Sequence, residues 1–270
     1  MIVLLDGAPA EPGWREAANA SAFTHGWAVF ETLRGQDGRP RFLARHLERL
    51  ARGAHLLGLE LPPLAALEQS IRAAAAAAPR ARIRLTLFAD APPIPPASAA
   101  RTRWIVTGGA AGAHDGRPLA LAVASVRRDE RSPLSRIKCA NYAVSVFARR
   151  EAAAAGADDA LLLNNAGRAA ECTTSNVFAV CGGSLVTPPE AEGALSGVAR
   201  AAVFDLAPSF GRDAEERPLA LEDLARAEEV FVTSAVAGVR AVSRIQGAGA
   251  WPAPGPVTRA IDEAFEALPG

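Results

Sequence analysis

IKCANYAVSVFARREAAAAGADDALLLNNAGRAAECTTSNVFAV, residues 137–180, is the stretch that decides the fold. An alanine-rich segment, a short apolar run and a glycine turn predict a helix over 140–155, a buried strand over 159–163 and a hairpin at NNAGR. Lys138, near its start, is the only lysine among the 29 basic residues of the chain. An ε-amino group can lose its proton and form an imine, whereas a guanidinium stays protonated. The sequence therefore places a candidate nucleophilic amine just before a helix.

Segments on both sides continue this mixture of strands and helices. The predicted strands are at 2–5, 28–34, 82–88, 104–106, 119–126, 176–180, 184–187 and 229–233, and the predicted helices are at 43–57, 64–78, 197–207 and 256–267. Because the two types do not alternate strictly, we predict an α+β fold. A Gly-rich polar stretch predicts a linker at 111–118, between a small domain at 1–110 and a larger one at 119–270.

Composition argues against several classes of protein. The formal net charge is zero at pH 7, and both signs are mixed along the chain, so we expect no nucleic-acid or membrane partner. Three cysteines without a C-x-x-C pair predict no disulfide framework. Four histidines without ligand spacing predict no metal. The apolar N-terminal run is too short for a signal peptide, and no run is long enough to span a bilayer, so we predict a cytoplasmic protein.

Four further blocks accompany residues 137–180, in order and at fitting spacing. They are GWAVFETLR (26–34), HLERL (46–50), TPPEAEGALSGVAR (187–200) and EVFVTSAVAGVRAV (229–242). Together the five blocks resemble the fold-type IV enzymes that use pyridoxal 5′-phosphate (PLP). This class IV aminotransferase family includes branched-chain and D-amino acid aminotransferases and 4-amino-4-deoxychorismate lyases. The resemblance implies a small N-terminal α/β domain, a larger C-terminal β-rich α/β domain, bound PLP, amino acid and oxo-acid substrates, and a homodimer.

The resemblance implies roles for three residues around the reactive part of PLP. Lys138 resembles the lysine that forms a Schiff base with PLP and then moves protons as general base and acid. Glu171 resembles the carboxylate that pairs with the pyridine nitrogen, and a carboxylate there raises the pKa of that nitrogen. Tyr142, the only tyrosine in the chain, resembles the tyrosine that hydrogen-bonds the phenolic oxygen of PLP.

A second group of residues resembles the family's phosphate site. Arg49 resembles the arginine that grips the phosphate, since a planar fork can hold it by two charge-assisted bonds. The backbone N–H groups of Gly197 and Val198 open a predicted helix and face the same phosphate. Ser234 and Ala235 belong to the last block and lie, by the resemblance, beside the cofactor.

Two alanines depart from the family pattern. Ala199 and Ala235 stand where the family has threonines that bind the phosphate. Unless Ser196, Thr233 or Ser234 replaces them, two hydroxyl contacts are missing. Each lost bond to a charged group costs roughly 1.5–3 kcal/mol, so we predict weaker retention of PLP.

The shared site is compatible with more than one function. Our leading prediction is amino-group transfer from a small amino acid to a 2-oxo acid through Lys138. The alternative is 4-amino-4-deoxychorismate lyase, which releases pyruvate and 4-aminobenzoate, because Thr32 resembles a threonine near the reactive lysine of lyases. A third hypothesis is a non-catalytic PLP-binding protein, since Ala199 and Ala235 weaken the phosphate site.

Two residues are candidates for substrate binding. His25 stands where an aromatic residue usually precedes the G-x-x-x-F-E block and is predicted to line the substrate pocket. Arg240, in GVRAV, has the charge to meet a substrate carboxylate. The Arg-x-His trap of the usual D-amino acid enzymes is replaced by LFADAPPIPP (87–96), so we expect no standard D-alanine activity.

Overall fold

The computed structural model describes residues 1–11, 18–94, 100–112 and 116–269, and the chain divides into two compact units. The first unit comprises Met1–Ala113, Ile137–Asn141 and Pro269–Gly270, and the second comprises His114–Arg136 and Tyr142–Leu268. The division falls inside the predicted linker 111–118, of which residues 113–115 lie outside the described ones. The five residues around Lys138 belong to the first unit, whereas the predicted boundaries placed them in the larger domain at 119–270.

The first unit is an antiparallel sheet with helices packed on it. Its strands are β1 (Ile2–Leu5), β2 (Ala8–Pro9), β3 (Ala28–Gln36), β4 (Arg39–Pro40), β5 (Arg80–Ala89) and β6 (Thr102–Ala110), and its helices are α1 (Ser21–His25), α2 (Leu43–Leu56) and α3 (Leu64–Ala75). The strand order is β2-β1-β6-β5-β3-β4. In β5, Ala81, Ile83, Leu85 and Leu87 are fully buried on one face, which is the two-residue period of a strand.

A short segment around Lys138 extends this sheet at the edge of β3. The N–H of Phe30 donates to the carbonyl of Lys138 at 2.9 Å, and the N–H of Ala140 donates to the carbonyl of Ala28 at 2.7 Å. The pairing is an antiparallel bridge. Because Cys139 is held in this bridge, helix α4 (Ala143–Ala154) begins three residues later than the predicted start at 140.

The second unit is a mixed sheet of nine strands. Its strands are β7 (Leu119–Arg128), β8 (Asp159–Asn164), β9 (Ala169–Cys172), β10 (Asn176–Cys181), β11 (Ser184–Thr187), β12 (Ala214–Glu216), β13 (Glu229–Ser234), β14 (Gly238–Ile245) and β15 (Gly249–Ala250). Besides α4, its helices are α5 (Val198–Leu206), α6 (Leu221–Ala225) and α7 (Pro256–Ala267), with 3₁₀ turns at Pro133–Arg136, Glu190–Glu192 and Ala207–Phe210. The strand order is β12-β11-β10-β13-β14-β7-β8-β9, with β15 paired to β14.

Alanine lets helix α4 pack closely on the second sheet. Strands β7 and β8 are parallel, and α4 is the crossover that a parallel pair requires. One buried cluster joins the three elements: Ala122, Ala124, Ala148, Ala152, Ala160 and Leu162. Helices and sheets in both units confirm the predicted α+β class. Within the described ranges, every helix is too short or too polar to cross a bilayer.

Candidate active site

Lys138 lies against the aromatic ring of Phe30. Its Nζ is 4.6 Å from the ring centroid, a distance at which a cation is attracted to the ring face. The lysine is half-buried and Phe30 is buried. The main-chain bond between these two residues holds the base of the lysine on a sheet. The structure thus presents this amine from a backbone that is hydrogen-bonded to β3.

Arg84, which the sequence prediction missed, shares the ring of Phe30. The centre of its guanidinium is 3.8 Å from the ring centroid, and its Nε donates to Thr86 Oγ1 at 3.3 Å. Arg84 pairs with Thr32 in the register of β5 and β3, so Thr32, Arg84 and Phe30 belong to one face of the sheet. The alternation in ARIRLTLF (81–88) could have identified Arg84, because it places this arginine on the sheet face opposite the buried apolar side chains.

Arg49 pairs with a buried carboxylate on β3. Its Nε donates to Glu31 Oε1 at 2.8 Å and its Nη2 to Oε2 at 2.6 Å, while His46 Nδ1 lies 2.6 Å from Oε2. Burial acts to raise the pKa of Glu31, but Arg49 and His46 outweigh it and lower that pKa to about 2. Burial lowers the pKa of His46. Glu31 uses two of the five N–H donors of Arg49, and its contact with a phosphate stays a prediction.

Glu171, in β9, has a neighbour at each carboxylate oxygen. The N–H of Leu195 donates to Oε2 at 3.0 Å. Nη2 of Arg128 forms an ion pair with Oε1 at 3.2 Å. The Glu171 side chain is 12% exposed, and a carboxylate has about four lone-pair sites. It is therefore held in place with capacity to accept a further hydrogen bond. Arg128 was not predicted, since its run of charges resembles a solvated segment.

The N-terminus of α5 is built around Gly197. Gly197 precedes the first helical residue, Val198, as the sequence predicted within one residue. A Cβ at position 197 would lie 1.9 Å from Asn176 Oδ1, while Asn176 Nδ2 donates to the carbonyl of Leu195 at 2.8 Å. Only glycine fits beside this asparagine. The free N–H groups of a helix start are suited to an anion such as a phosphate.

The hydroxyl groups proposed to replace the missing threonines have separate surroundings. Ser234 Oγ accepts a hydrogen bond from the N–H of Ala237 at 3.3 Å, in the turn that holds Ala235. Thr233 Oγ1 is buried without a hydrogen-bond partner among the described residues. Ala199 is 2% exposed in the first turn of α5.

His25, Tyr142 and Arg240 are the remaining predicted site residues. His25 ends α1, is exposed, and its Nδ1 lies 2.7 Å from Thr24 Oγ1. Tyr142 is half-buried directly before α4. Arg240 donates from Nη2 to the carbonyl of Arg117 at 2.7 Å. The roles of His25, Tyr142 and Arg240 stay predictions.

The residues fit PLP by the chemistry of their donors. One primary amine suits an aldehyde, a held carboxylate suits a ring nitrogen, and a helix start with an obligatory glycine suits a phosphate. In the described part of the chain, no cluster of three or more His, Cys, Asp or Glu side chains is placed to hold a metal.

The family model for class IV amino-transferases matches residues 28–245. This range contains Lys138, Glu171 and the residues around Gly197, so the match covers both sets of site residues.

Individual proteins of this kind align over most of the chain. A Methanocaldococcus jannaschii protein that carries the name of a branched-chain-amino-acid aminotransferase is 32% identical over 85% of this chain and 84% of its own. A bifunctional aminodeoxychorismate lyase / D-amino acid transaminase of Mycobacterium tuberculosis is 27% identical over 92% of each. The crystal structure of the Escherichia coli branched-chain amino acid aminotransferase superposes with a TM-score of 0.91 at 25% identity, covering 99% of this chain and 94% of that one.

Proposed function

The chain belongs to the class IV aminotransferase family, and from this premise we propose that it transfers an amino group from a small amino acid to a 2-oxo acid. It is an enzyme of a PLP-dependent family. The family contains both aminotransferases and aminodeoxychorismate lyases. Family membership alone therefore does not choose between the two reactions.

The observation that carries the proposal is the ring shared by Lys138 and Arg84. Lys138 Nζ and the Arg84 guanidinium both lie on Phe30, at 4.6 and 3.8 Å from its centroid. An amino acid bears its amine and carboxylate on one carbon, so its site needs an amine-handling group close to a carboxylate anchor. A guanidinium binds a carboxylate by two parallel bonds. Arg84 is the proposed anchor of the substrate carboxylate.

Proton transfer is assigned to Lys138. When bound, PLP supplies an aldehyde for the substrate amine and a ring that accepts electrons. Lys138 would hold the cofactor through Nζ and would take and return the proton of the substrate carbon as general base and acid. Glu171 accepts a hydrogen bond from the ring nitrogen and favours a proton on it.

The phosphate is assigned to the start of α5 and to Arg49. The N–H groups of Gly197 and Val198 supply neutral donors, and Arg49 supplies a charged donor held by Glu31. Ser234 is the proposed hydroxyl donor at the end of β13.

A lyase is the second candidate function, and Thr32 favours it. Thr32 shares a sheet face with Phe30 and faces Arg84 across the strand pair, so its hydroxyl is placed on the side where Lys138 lies. In this reading Arg84 binds a carboxylate of 4-amino-4-deoxychorismate.

The two functions are separated by their products. The purified enzyme is incubated with PLP, a panel of L- and D-amino acids, and 2-oxoglutarate or pyruvate, and separately with aminodeoxychorismate. Transfer from a small amino acid supports the proposal. Pyruvate and 4-aminobenzoate from the second incubation alone would replace it with the lyase.

The unique lysine permits a chemical test of the cofactor bond. Borohydride reduction of the PLP-loaded protein should leave a phosphopyridoxyl mass on the peptide containing Lys138 and remove the visible absorbance. Lys138→Arg, which keeps the charge but forms no imine, should show neither the mass nor turnover. Turnover near the parent rate in Lys138→Arg would refute the assignment.

We also infer that the chain forms a homodimer. Helix α4 exposes three apolar side chains within four residues, Val144 at 45%, Val146 at 56% and Phe147 at 50%. Clustered exposed apolar groups mark interaction surfaces, and a second copy offers the same patch across a two-fold axis. Light scattering should give a dimer for the parent and for Arg150→Glu, and a monomer for Phe147→Glu. A monomeric parent contradicts this inference.

A further inference from the structure

Arg128, the last residue of β7, contacts three segments of the second unit. Its Nε donates to the carbonyl of Gly193 at 3.0 Å, and its Nη2 donates to the carbonyl of Ser135 at 3.1 Å. The same Nη2 lies 3.2 Å from Glu171 Oε1. The side chain is 20% exposed, whereas the adjacent Arg127 points to solvent. Arg128 is thus a largely buried side chain that links three segments, and it is not a solvent-exposed surface charge.

The segment held at Gly193 carries the second contact of Glu171. Two residues on, the N–H of Leu195 donates to Glu171 Oε2 at 3.0 Å. A Cβ at Gly193 would lie 3.0 Å from Arg128 Cγ, so the stem of the arginine packs directly on this backbone. Arg128 therefore acts on Glu171 twice, by its charge at Oε1 and by fixing the backbone that brings Leu195 to Oε2.

The upstream end of the same segment is anchored independently of Arg128. Arg168 donates to both oxygens of Glu192, at 2.6 and 2.8 Å, and Asn164 Nδ2 donates to Glu192 Oε2 at 2.6 Å. Loss of Arg128 should therefore loosen the segment at Gly193 and leave its start in place. This limits the effect of a substitution to the neighbourhood of Glu171.

We propose that Arg128 is a positioning residue that fixes the direction in which Glu171 meets the ring nitrogen of PLP. The inference rests on the role proposed above for Glu171. A carboxylate held at both oxygens cannot rotate, so its remaining lone pairs point one way. When Arg128 is removed, both supports weaken together. The contact that is lost is the one with the ring nitrogen, while Lys138 and the phosphate contacts persist.

The test compares PLP with an analogue in which C–H replaces the ring nitrogen. Both molecules keep the aldehyde and the phosphate, so the ratio of their dissociation constants isolates the contact made by Glu171. Apo-protein is titrated with each molecule and binding is followed by absorbance. Arg128→Met removes the charge and the donors but keeps the stem, and Arg128→Lys keeps the charge without the planar fork. Arg127→Met is the matched control on the same strand.

For Arg128→Met, we expect PLP to bind about tenfold or more weakly, the range for a lost bond to a charged group. The affinity for the analogue should change less than about twofold, because its ring offers nothing to Glu171. The PLP affinity of Arg128→Lys should lie between those of the parent and Arg128→Met. Arg127→Met should bind both molecules as the parent does. In a Glu171→Gln background, Arg128→Met should leave the ratio unchanged, because both substitutions act through one contact.

Two results would overturn the inference. An equal loss of affinity for both molecules would show that Arg128 only maintains the local fold. An unchanged or increased preference for PLP would show that it does not orient Glu171. If circular dichroism shows that Arg128→Met is unfolded, the ratio of the two dissociation constants is measured on Arg128→Lys instead, and the same outcomes apply. If Arg128→Met keeps the parent's preference for PLP over the analogue while the parent enzyme transaminates, only the inference about Arg128 is refuted. If Arg128→Met loses that preference but the parent enzyme does not transaminate, only the proposed function is refuted.

Discussion

Arg49 binds Glu31 through two parallel hydrogen bonds, from Nε to Oε1 at 2.8 Å and from Nη2 to Oε2 at 2.6 Å. Glu31 is 1% exposed and Arg49 is 7% exposed. A bidentate pair fixes the plane of the guanidinium as well as its position. The arginine proposed to grip the phosphate is therefore oriented in advance by a carboxylate on a neighbouring strand.

Glu31→Gln should destabilise the apo-protein. The amide keeps the shape of the side chain but removes the charge that pairs with Arg49, and breaking a buried pair in this way costs about 3–5 kcal/mol. Urea denaturation measures the free energy of unfolding. The control is Glu68→Gln, which removes an exposed pair with Arg72 and should cost less than about 0.5 kcal/mol. Equal losses in the two variants would contradict the structural role of Glu31.

Acid should reduce the stability of this cluster in two steps. Burial lowers the pKa of His46 from 6.5, so the unfolded chain binds that proton first and stability falls as pH drops through 6.5. The pKa of Glu31 is lowered from 4.5 to about 2, so its contribution is present above pH 4.5 and is lost toward pH 2. Unfolding free energies across pH should show the first step reduced in His46→Asn. The control is His55→Asn, which removes an exposed histidine outside this cluster.

Local sequence patterns predicted most elements of the fold. The helices predicted at 43–57 and 64–78 are α2 and α3, and the alternating strand at 82–88 is the centre of β5. Strand β9 was missed because it has only four residues between two turns. The bridge between Val29 and Cys139 was missed because it joins residues 110 positions apart, and no local pattern marks such a pairing.

The site was predicted by resemblance more than by pattern. Lys138 stood out by its rarity, and Glu171 only by its family block. The contacts of Arg84 and Arg128 depend on which strands are neighbours, which one sequence does not show. The cluster around Glu31 was predictable only in part. His46 and Arg49 are three residues apart, so the sequence places them on one face of a helix, but it does not show that their common partner is Glu31 on β3.

Gly197→Ala should weaken PLP binding. The added methyl would lie 1.9 Å from Asn176 Oδ1, so the start of α5 must shift and its N–H groups move from the phosphate. We expect the dissociation constant to rise about tenfold or more, the equivalent of one bond to a charged group. Gly112→Ala is the control, because among the described residues no atom beyond the chain neighbours lies within 4 Å of a Cβ built there, and its φ lies outside the left-handed region. Normal PLP affinity in Gly197→Ala would remove the helix start from the proposed site.

Ala199→Thr should strengthen PLP binding. Ala199 lies in the first turn of α5, where a hydroxyl can reach an anion at the helix start, and one new bond to a charged group should lower the dissociation constant about tenfold or more. The affinity for pyridoxal, which lacks the phosphate, should stay the same. Because Ala199 is only 2% exposed, the smaller Ala199→Ser guards against overpacking. Ala201→Thr, on another face of the helix, is the control. If both hydroxyl variants at position 199 bind PLP no more tightly than the parent, the missing threonine is not what limits retention.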